Sequence, residues 1–160
     1  WALAMRLDYL QAQLALEEGS RLAAYLDTEG ILTVGIGHNC RARPVAGVNK
    51  PGDRITRELE AELFAADIED VLRELDNRWP WWTEMDDVRQ NVLANMCFNM
   101  GGTTLSGFRN TLRAMEAGDY LDASERMLQS KWARQVGKRA VRLSAMMATG
   151  AWPDDVPGIS

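Results

Sequence analysis

Apolar residues recur at helical spacing at the start of the chain, and the pattern stops at a glycine. This spacing predicts an amphipathic helix that ends at Glu17 or Glu18, because Gly19 supplies a C-terminal stop. Residues 20–38 then change to β-branched and aromatic residues around a "DTEG" turn, which predicts a β-hairpin. The apolar positions of the helix are Leu3, Leu7, Leu10 and Leu14.

A second helical pattern follows a loop with glycine and proline over residues 39–54. Thr56 is placed to cap this helix, and Glu58 and Glu60 fall in its first turn, where the helix dipole favours acids. The apolar residues keep a 3.6-residue period for about five turns. Pro80 in "RWPWW" ends the helix, because it excludes the α region for the residue before it. The apolar positions are Leu59, Leu63, Phe64, Ile68, Val71, Leu72 and Leu75.

The rest of the chain is also helical in pattern. A strongly apolar helix is expected to stop at Gly101 and Gly102. Two or three short helices follow, with breaks near Gly107, Gly118 and Gly137 and a last helix that ends at Gly150. The apolar positions of the first of these helices are Val88, Val92, Leu93, Met96, Cys97 and Met100.

These patterns predict an α+β fold that is mostly helical, in one domain. A small helix-plus-hairpin lobe is expected over residues 19–56, a long connecting helix over 57–77, and a larger helical lobe over 78–160 together with 1–16. The length of 160 residues and the apolar content of 46% suit a single domain of this kind. A cleft is expected between the lobes, and clefts commonly hold ligand sites.

Charge is spread unevenly along the chain. Residues 1–100 carry 10 Lys/Arg and 17 Asp/Glu, a net charge of −7, whereas residues 101–160 carry a net charge of +2. The stretch 126–142 holds six cations and no acid, and it suits either a solvated helix face or contact with an anionic polymer. Its cations are Arg126, Lys131, Arg134, Lys138, Arg139 and Arg142.

Composition argues against several classes of partner. Nucleic acid is not expected, because the net charge is −5 and the chain shows no nucleic-acid-binding motif. No apolar run approaches the ~18 residues of a membrane span, so no stable membrane association is expected. Cys40 and Cys97 are too few for a disulfide framework and are expected to be free thiols.

The candidate chemistry lies in "EEGSRLAAYLDTEGILTVGIGHNC", residues 17–40. Glycosidic bond hydrolysis uses two carboxylates, one protonated to donate to the leaving oxygen and one ionised. Glu18 at a helix end and Asp27 on a turn provide such a pair. The helix dipole disfavours the ionised form of Glu18, which suits an acid, and Thr33 offers a hydroxyl that could position water. Glu17 points inward about as well as Glu18, so periodicity leaves both candidates open.

The same segment resembles the active-site segment of phage-type lysozymes, the T-even phage lysozyme family (glycoside hydrolase family 24). The family motif is Glu-Gly-x-Arg-x-x-x-Tyr-x-Asp-Thr-x-Gly-x-x-Thr-x-Gly-x-Gly-His, and it falls on residues 18–38 without a gap. The resemblance extends to "ITRELEAELFAADI", "VLANMCFNMGGTTLSGFRNTLRAM", "SKWARQVGKRAVR" and "TGAW". It therefore covers essentially the whole chain.

The resemblance implies a muramidase that cuts the β-1,4 bond between N-acetylmuramic acid and N-acetylglucosamine in peptidoglycan. Glu18 would be the general acid, Asp27 the second carboxylate, and Thr33 the residue that holds the nucleophilic water. Gly37 would line the sugar-binding cleft. The same resemblance makes Phe98, Asn99 and Arg139 candidates for binding substrate, with Arg139 paired to the catalytic glutamate.

The resemblance also gives the chain's one histidine a structural role. The chain has no second His to complete a zinc site with His38, so no metal and no cofactor are expected. The resemblance selects Asp67 as its partner, and such a pair would raise the pKa of His38.

The expected partner is the glycan strand of peptidoglycan, and the protein is expected to be a monomer. It would be made in the host cytoplasm and act on the cell wall after release, leading to host lysis. Two other functions stay open: a lytic transglycosylase, and a non-catalytic peptidoglycan-binding phage component. The set of Glu18, Asp27 and Thr33 argues against both, because neither function needs a site for a water nucleophile.

Overall fold

The computed structural model describes residues 6–155. This range holds eight α-helices, one 3₁₀ helix and one antiparallel sheet with the strand order β1-β2-β3. The helices are α1 Leu7–Glu18, α2 Arg57–Arg78, α3 Asp87–Met100, α4 Gly102–Leu105, α5 Arg109–Glu116, α6 Tyr120–Gln129, α7 Lys131–Val136 and α8 Lys138–Thr149, and the 3₁₀ helix is Pro80–Glu84. The strands are β1 Arg21–Leu26, β2 Leu32–Gly35 and β3 His38–Asn39.

The α+β, mostly helical fold class is therefore confirmed. The chain divides into two compact units. The α/β unit is Gln13–Asp70, and the described part of the helical unit is residues 6–12 and 71–155. The boundaries between the units fall inside α1 and inside α2.

The α/β unit is built on the short sheet and a small apolar cluster. Tyr25 pairs with Thr33 across β1 and β2, and Val34 pairs with His38 across β2 and β3. The loop that follows β3 returns to β1, where the amide of Ala24 donates to the carbonyl of Asp53. The buried residues of this cluster are Ala24, Val34, Cys40, Val45, Val48 and Ile55.

The long helix of the chain begins as its sequence predicts. Thr56 Oγ1 accepts a hydrogen bond from the amide of Leu59, which is the capping interaction expected of a threonine before a helix. The helix, α2, ends at Arg78, two residues before Pro80. The cap and the proline together explain both ends.

The helical unit has a core of large apolar side chains. Val88 and the consecutive residues 90–97 of α3 are all buried, which explains the strongly apolar character of this part of the sequence. Asp86 caps α3 by accepting from the amide of Arg89, and Gly101 ends the helix with a φ of 82°. Other large buried side chains of this unit are Leu72, Leu75, Trp82, Leu105, Met115, Met127, Trp132, Leu143 and Met147.

The number of short helices after α3 was underestimated from the sequence. Five follow it in the described range, rather than two or three. The prediction relied on glycines as breaks, but Ser130 separates α6 from α7 with an extended ψ of 158°, and its Oγ accepts from the amide of Ala133. A second short helix, α4, begins directly after the glycine that ends α3. Leu3, the first position of the predicted opening helix, lies outside the described residues.

Some cations of the basic stretch 126–142 form ion pairs within the helical unit. Arg126 pairs with Asp122 and Arg142 pairs with Asp155, each at 2.8 Å. The exposed cations of the stretch that have no acidic partner among these ion pairs are Lys131, Arg134 and Lys138. Across residues 6–155, no helix combines the length and the hydropathy needed to cross a membrane.

Candidate active site

The first candidate carboxylate lies at the end of a helix. Glu18 is the last residue of α1, and the amide of Gly19 donates to the carbonyl of Ala15 at 3.0 Å to close the final turn. Gly19 has a φ of +75°, the left-handed conformation that commonly ends a helix. The half-buried side chain of Glu18 therefore projects from a fixed point of the backbone.

A glycine backbone lies directly against the Glu18 carboxyl group. A Cβ atom built on Gly37 would lie 2.8 Å from Oε1 and 3.0 Å from Cδ of Glu18. Gly37 also has a φ of +64°, so a side chain at this position would be strained as well as too close. The resemblance assigns Gly37 to the sugar-binding cleft, and the geometry adds a contact with the candidate acid.

The second carboxylate is held by its own turn. Asp27 follows β1, and its Oδ1 accepts hydrogen bonds from the amides of Glu29 and Ile31, each at 2.8 Å. Its backbone amide donates in turn to the carbonyl of Ile31 at 2.9 Å. Two N–H groups that point at one carboxylate oxygen stabilise negative charge there and fix the orientation of the group. The sequence placed Asp27 on a turn, and the amides of that turn that hold its carboxylate belong to Glu29 and Ile31.

Thr33 is a buried residue of β2, opposite Tyr25 in the sheet. Its Oγ1 donates to the carbonyl of Ile31 at 2.9 Å. A hydroxyl has one hydrogen and two lone pairs, so this bond uses its hydrogen and leaves it able to accept. The amide of Ile31 thus donates to the Asp27 carboxylate, and its carbonyl accepts from the Thr33 hydroxyl.

Sequence reasoning gave no role to an arginine and a tyrosine that lie beside these carboxylates. The guanidinium carbon of Arg21 lies 3.8 Å from the ring centroid of Tyr25, within the range of a cation–π contact. Burial raises the pKa of Tyr25, the charges of Glu18 and Asp27 raise it further, and Arg21 opposes them. Tyr25 is therefore within electrostatic reach of both carboxylates. The irregular strand pairing between Arg21 and Tyr25 was not visible in the sequence.

The histidine lies between an acid and a backbone carbonyl. His38 Nδ1 is 2.7 Å from Asp67 Oδ2, and its Nε2 is 2.9 Å from the carbonyl oxygen of Arg43. Burial lowers the pKa of His38, but the hydrogen bonds to Asp67 and Arg43 and the charge of Asp67 outweigh burial and raise it. Arg43 itself pairs with Asp70 on α2. Both ring nitrogens of His38 are thus occupied within the α/β unit.

The remaining sequence candidates belong to the helical unit. Phe98 and Asn99 are half-buried near the end of α3, and Asn99 Oδ1 accepts from Trp132 Nε1 at 2.7 Å. Arg139 is buried on α8 and donates from Nε and Nη2 to Asn95 Oδ1 at 3.0 and 2.9 Å. Asn99 and Arg139 are thus each hydrogen-bonded to a residue of the same unit.

The thiols and the possible metal ligands add no further chemistry. Cys40 and Cys97 are free and buried, and burial raises the pKa of both thiols, that of Cys97 to about 12. A thiol with a raised pKa is a poor nucleophile at neutral pH. Residues 6–155 contain no group of three or more His, Cys, Asp or Glu side chains that could hold a metal ion.

Comparison with known families decides the class of this protein. The sequence profile of the phage lysozyme family matches residues 15–146, which is most of the chain and includes every candidate site residue. The chain belongs to the phage lysozyme family. Lysozyme-type hydrolysis of peptidoglycan is the activity that this family and the relatives support.

Three curated proteins from other sources are similar to this phage lysozyme chain. The chain is 36% identical over 153 residues to the pre-baseplate central spike protein Gp5 of Enterobacteria phage T4, covering 84% of this chain but only 26% of the spike protein. It is 29% identical to probable T4-type lysozyme 2 of Dictyostelium discoideum, covering 88% of this chain and 94% of that one. It is 30% identical over 115 residues to the endolysin of Salmonella phage P22, covering 70% of this chain and 73% of the endolysin.

Proposed function

We propose that this phage lysozyme domain is an N-acetylmuramidase that hydrolyses the β-1,4 bond between N-acetylmuramic acid and N-acetylglucosamine. Glu18 is the general acid, and Asp27 and Thr33 position the attacking water. The observation that carries this proposal is the placement of two carboxylates with different surroundings in one unit. Glu18 projects from a helix end against Gly37, and Asp27 is held by two backbone amides.

The surroundings of each group suit its role. Glu18 is the last residue of α1 and, as the general acid, donates its proton to the leaving oxygen. The two amides on Oδ1 of Asp27 fix the orientation of its carboxyl group, which takes a proton from the attacking water. Water attacks the anomeric carbon, its proton passes to Asp27, and the glycosidic oxygen leaves with the proton from Glu18.

Thr33 supplies an acceptor for the attacking water. Because its hydroxyl hydrogen is directed to the carbonyl of Ile31, its oxygen accepts a hydrogen bond from water rather than donating one. A water that donates one hydrogen to Thr33 and the other to Asp27 has a lone pair left for the sugar. This arrangement makes Thr33 an orienting group.

Substrate contacts and cellular role complete the proposal. Gly37, Phe98, Asn99 and Arg139 contact the glycan strand, an assignment supported by the family resemblance. His38 and Asp67 form a structural pair, supported by their 2.7 Å contact. The protein acts as a monomer on the cell wall after synthesis in the host cytoplasm, leading to host lysis. The 36% sequence identity to a phage spike protein also fits a role of this domain in the phage particle.

Product analysis of purified peptidoglycan tests the reaction. We expect muropeptides that end in reducing N-acetylmuramic acid. A product lighter by one water, the 1,6-anhydro form, would instead identify a lytic transglycosylase, and binding without any product would identify a non-catalytic wall-binding domain.

The stereochemistry of the first-formed product tests the water-attack mechanism. Attack by a water held by Asp27 and Thr33 inverts the anomeric centre, so NMR should detect the α anomer first. The carboxyl groups of Glu18 and Asp27 should then lie roughly 6.5–9.5 Å apart, which leaves room for water. A β product would contradict this mechanism.

A further inference from the structure

A buried glutamate near the candidate acid has no part in the proposed chemistry. Glu60 lies in the first turns of α2 and is 8% exposed. Glutamate is almost never this buried unless it has a partner. Here Ser20 Oγ donates to the carboxylate, at 2.9 Å from Oε1 and 2.7 Å from Oε2. The sequence gave Glu60 only a favourable place near the start of a helix, which does not explain its contact with Ser20.

The same side chain also contacts the second strand. A Cβ atom on Gly35 would lie 3.3 Å from Cγ and 3.8 Å from Cβ of Glu60. Gly35 pairs with Arg21, the residue after Ser20, where β1 and β2 meet. The carboxylate of Glu60 thus holds the start of β1, and its methylene groups pack under the end of β2.

Both of these segments lie within two residues of Glu18 or of the glycine that packs against it. Ser20 is two residues after Glu18 in the chain, and Gly35 is two residues before Gly37, whose backbone lies against Glu18. One side chain of α2 therefore contacts the segment that carries the acid and the segment that packs on it. The hydrogen bonds of Ser20 with Glu60 and the packing of Glu60 under Gly35 together fix the distance between the two segments.

We propose that Glu60 and Ser20 are a positioning pair that holds the Glu18 carboxyl group against the Gly35–Gly37 turn. This inference rests on the proposed function of Glu18 as the general acid. Neither residue touches the substrate, and both act through the placement of Glu18. Placement matters because a shift of about 1 Å in a reacting group can cost about 10²-fold in rate.

The test compares three variants with a matched control. Ser20→Ala removes the donor, Glu60→Ala removes the acceptor, and Glu60→Gln keeps an oxygen that can accept from Ser20. Glu62→Gln is the control, because Glu62 is an exposed acid on the same helix. All four are assayed on soluble peptidoglycan fragments, at a temperature where thermal melts show each variant to be folded.

We expect kcat to fall about tenfold in Ser20→Ala and Glu60→Ala, with KM nearly unchanged, because binding is intact while the acid is misplaced. Glu60→Gln should recover most of kcat, and the control should match the parent. A pair that only stabilises the fold would change the melting temperature and leave kcat of the folded protein intact, which would overturn the proposal. Equal losses in Glu60→Gln and Glu60→Ala would overturn it too.

A second measurement is independent of activity. In protein labelled with carbon-13 at glutamate carboxyl groups, the Glu18 resonance should move in Ser20→Ala and stay in place in Glu62→Gln. If the parent releases no new reducing ends, the proposed function fails, but the resonance still decides whether the pair positions Glu18. An unmoved Glu18 resonance in Ser20→Ala overturns the positioning pair, whatever the activity.

Discussion

The α/β unit and the helical unit are stabilised in different ways. The helical unit buries many large side chains, such as Trp82, Met96 and Leu143, which are fully buried. The α/β unit has a cluster of smaller residues, and its elements are joined by directional polar contacts such as His38 with Asp67. The proposed catalytic residues, Glu18, Asp27 and Thr33, all lie in the α/β unit. Hydrogen bonds from surrounding residues help to lock a reacting group in its productive position.

The largest effect on stability is expected in the helical unit. Leu93 of α3 is fully buried, so Leu93→Ala should cost about 2–5 kcal/mol of unfolding free energy through lost packing and a cavity. Leu128→Ala is the control, because Leu128 is 48% exposed, and it should cost no more than about 0.5 kcal/mol. Thermal and urea denaturation measure both. Activity per folded molecule should stay near that of the parent, and a large loss would show that this core also determines the chemistry.

The next largest effect is expected on activity, from a single oxygen atom in the α/β unit. Thr33→Val keeps the shape of the side chain but removes the acceptor for water, so kcat should fall about 10²-fold. Thr33→Ser keeps the hydroxyl and should retain most of the activity. Reducing-end release measures both variants. Equal activities of the two would show that Thr33 acts only as a packing residue.

The sequence predicts those features of each unit that depend on contacts between residues close together in the chain. The Thr56 cap of α2 and the apolar periods of α2 and α3 were predicted because they connect residues within one or two turns. The break at Ser130 was missed because its cap competes with an otherwise continuous helical pattern. The contact between Ser20 and Glu60 joins residues 40 apart in sequence, and no local pattern indicates it. The pairing of His38 with Asp67 came from family resemblance, since spacing alone gave no partner.

A smaller effect is expected where a glycine contacts the acid. Gly37→Ala should lower kcat about tenfold, because the added Cβ displaces the Glu18 carboxyl group. Gly47→Ala is matched in backbone strain, with a φ of +82° and no atom within 4 Å of the added Cβ. Both should lose melting temperature, since the left-handed conformation costs a side chain roughly 1–2 kcal/mol. An equal loss of kcat in both variants would rule out a specific role for Gly37.

The smallest effect concerns stability against pH. The pKa of His38 is raised in the folded protein, so its pair with Asp67 stabilises most below the usual histidine value of 6.5 and less as pH rises through the raised pKa. Asp67→Asn should therefore cost on the order of 1 kcal/mol near pH 5.5 and less near pH 9. Asp70→Asn, which removes a partner of Arg43 but not of His38, should lack this pH dependence. A cost for Asp67→Asn that is equal at both pH values would exclude a charged pair.

The most direct test of the account compares two adjacent glutamates at the end of α1. Glu18→Gln and Glu17→Gln each remove one charge from the same helix end, so they share the effect on the dipole and differ in which carboxyl group lies against Gly37. The initial rate of reducing-end release from purified peptidoglycan is measured for both, with thermal melts to confirm folding. We expect Glu18→Gln to lose about 10²–10⁴-fold in rate and Glu17→Gln to retain most of it. An inactive Glu17→Gln beside an active Glu18→Gln would contradict the account.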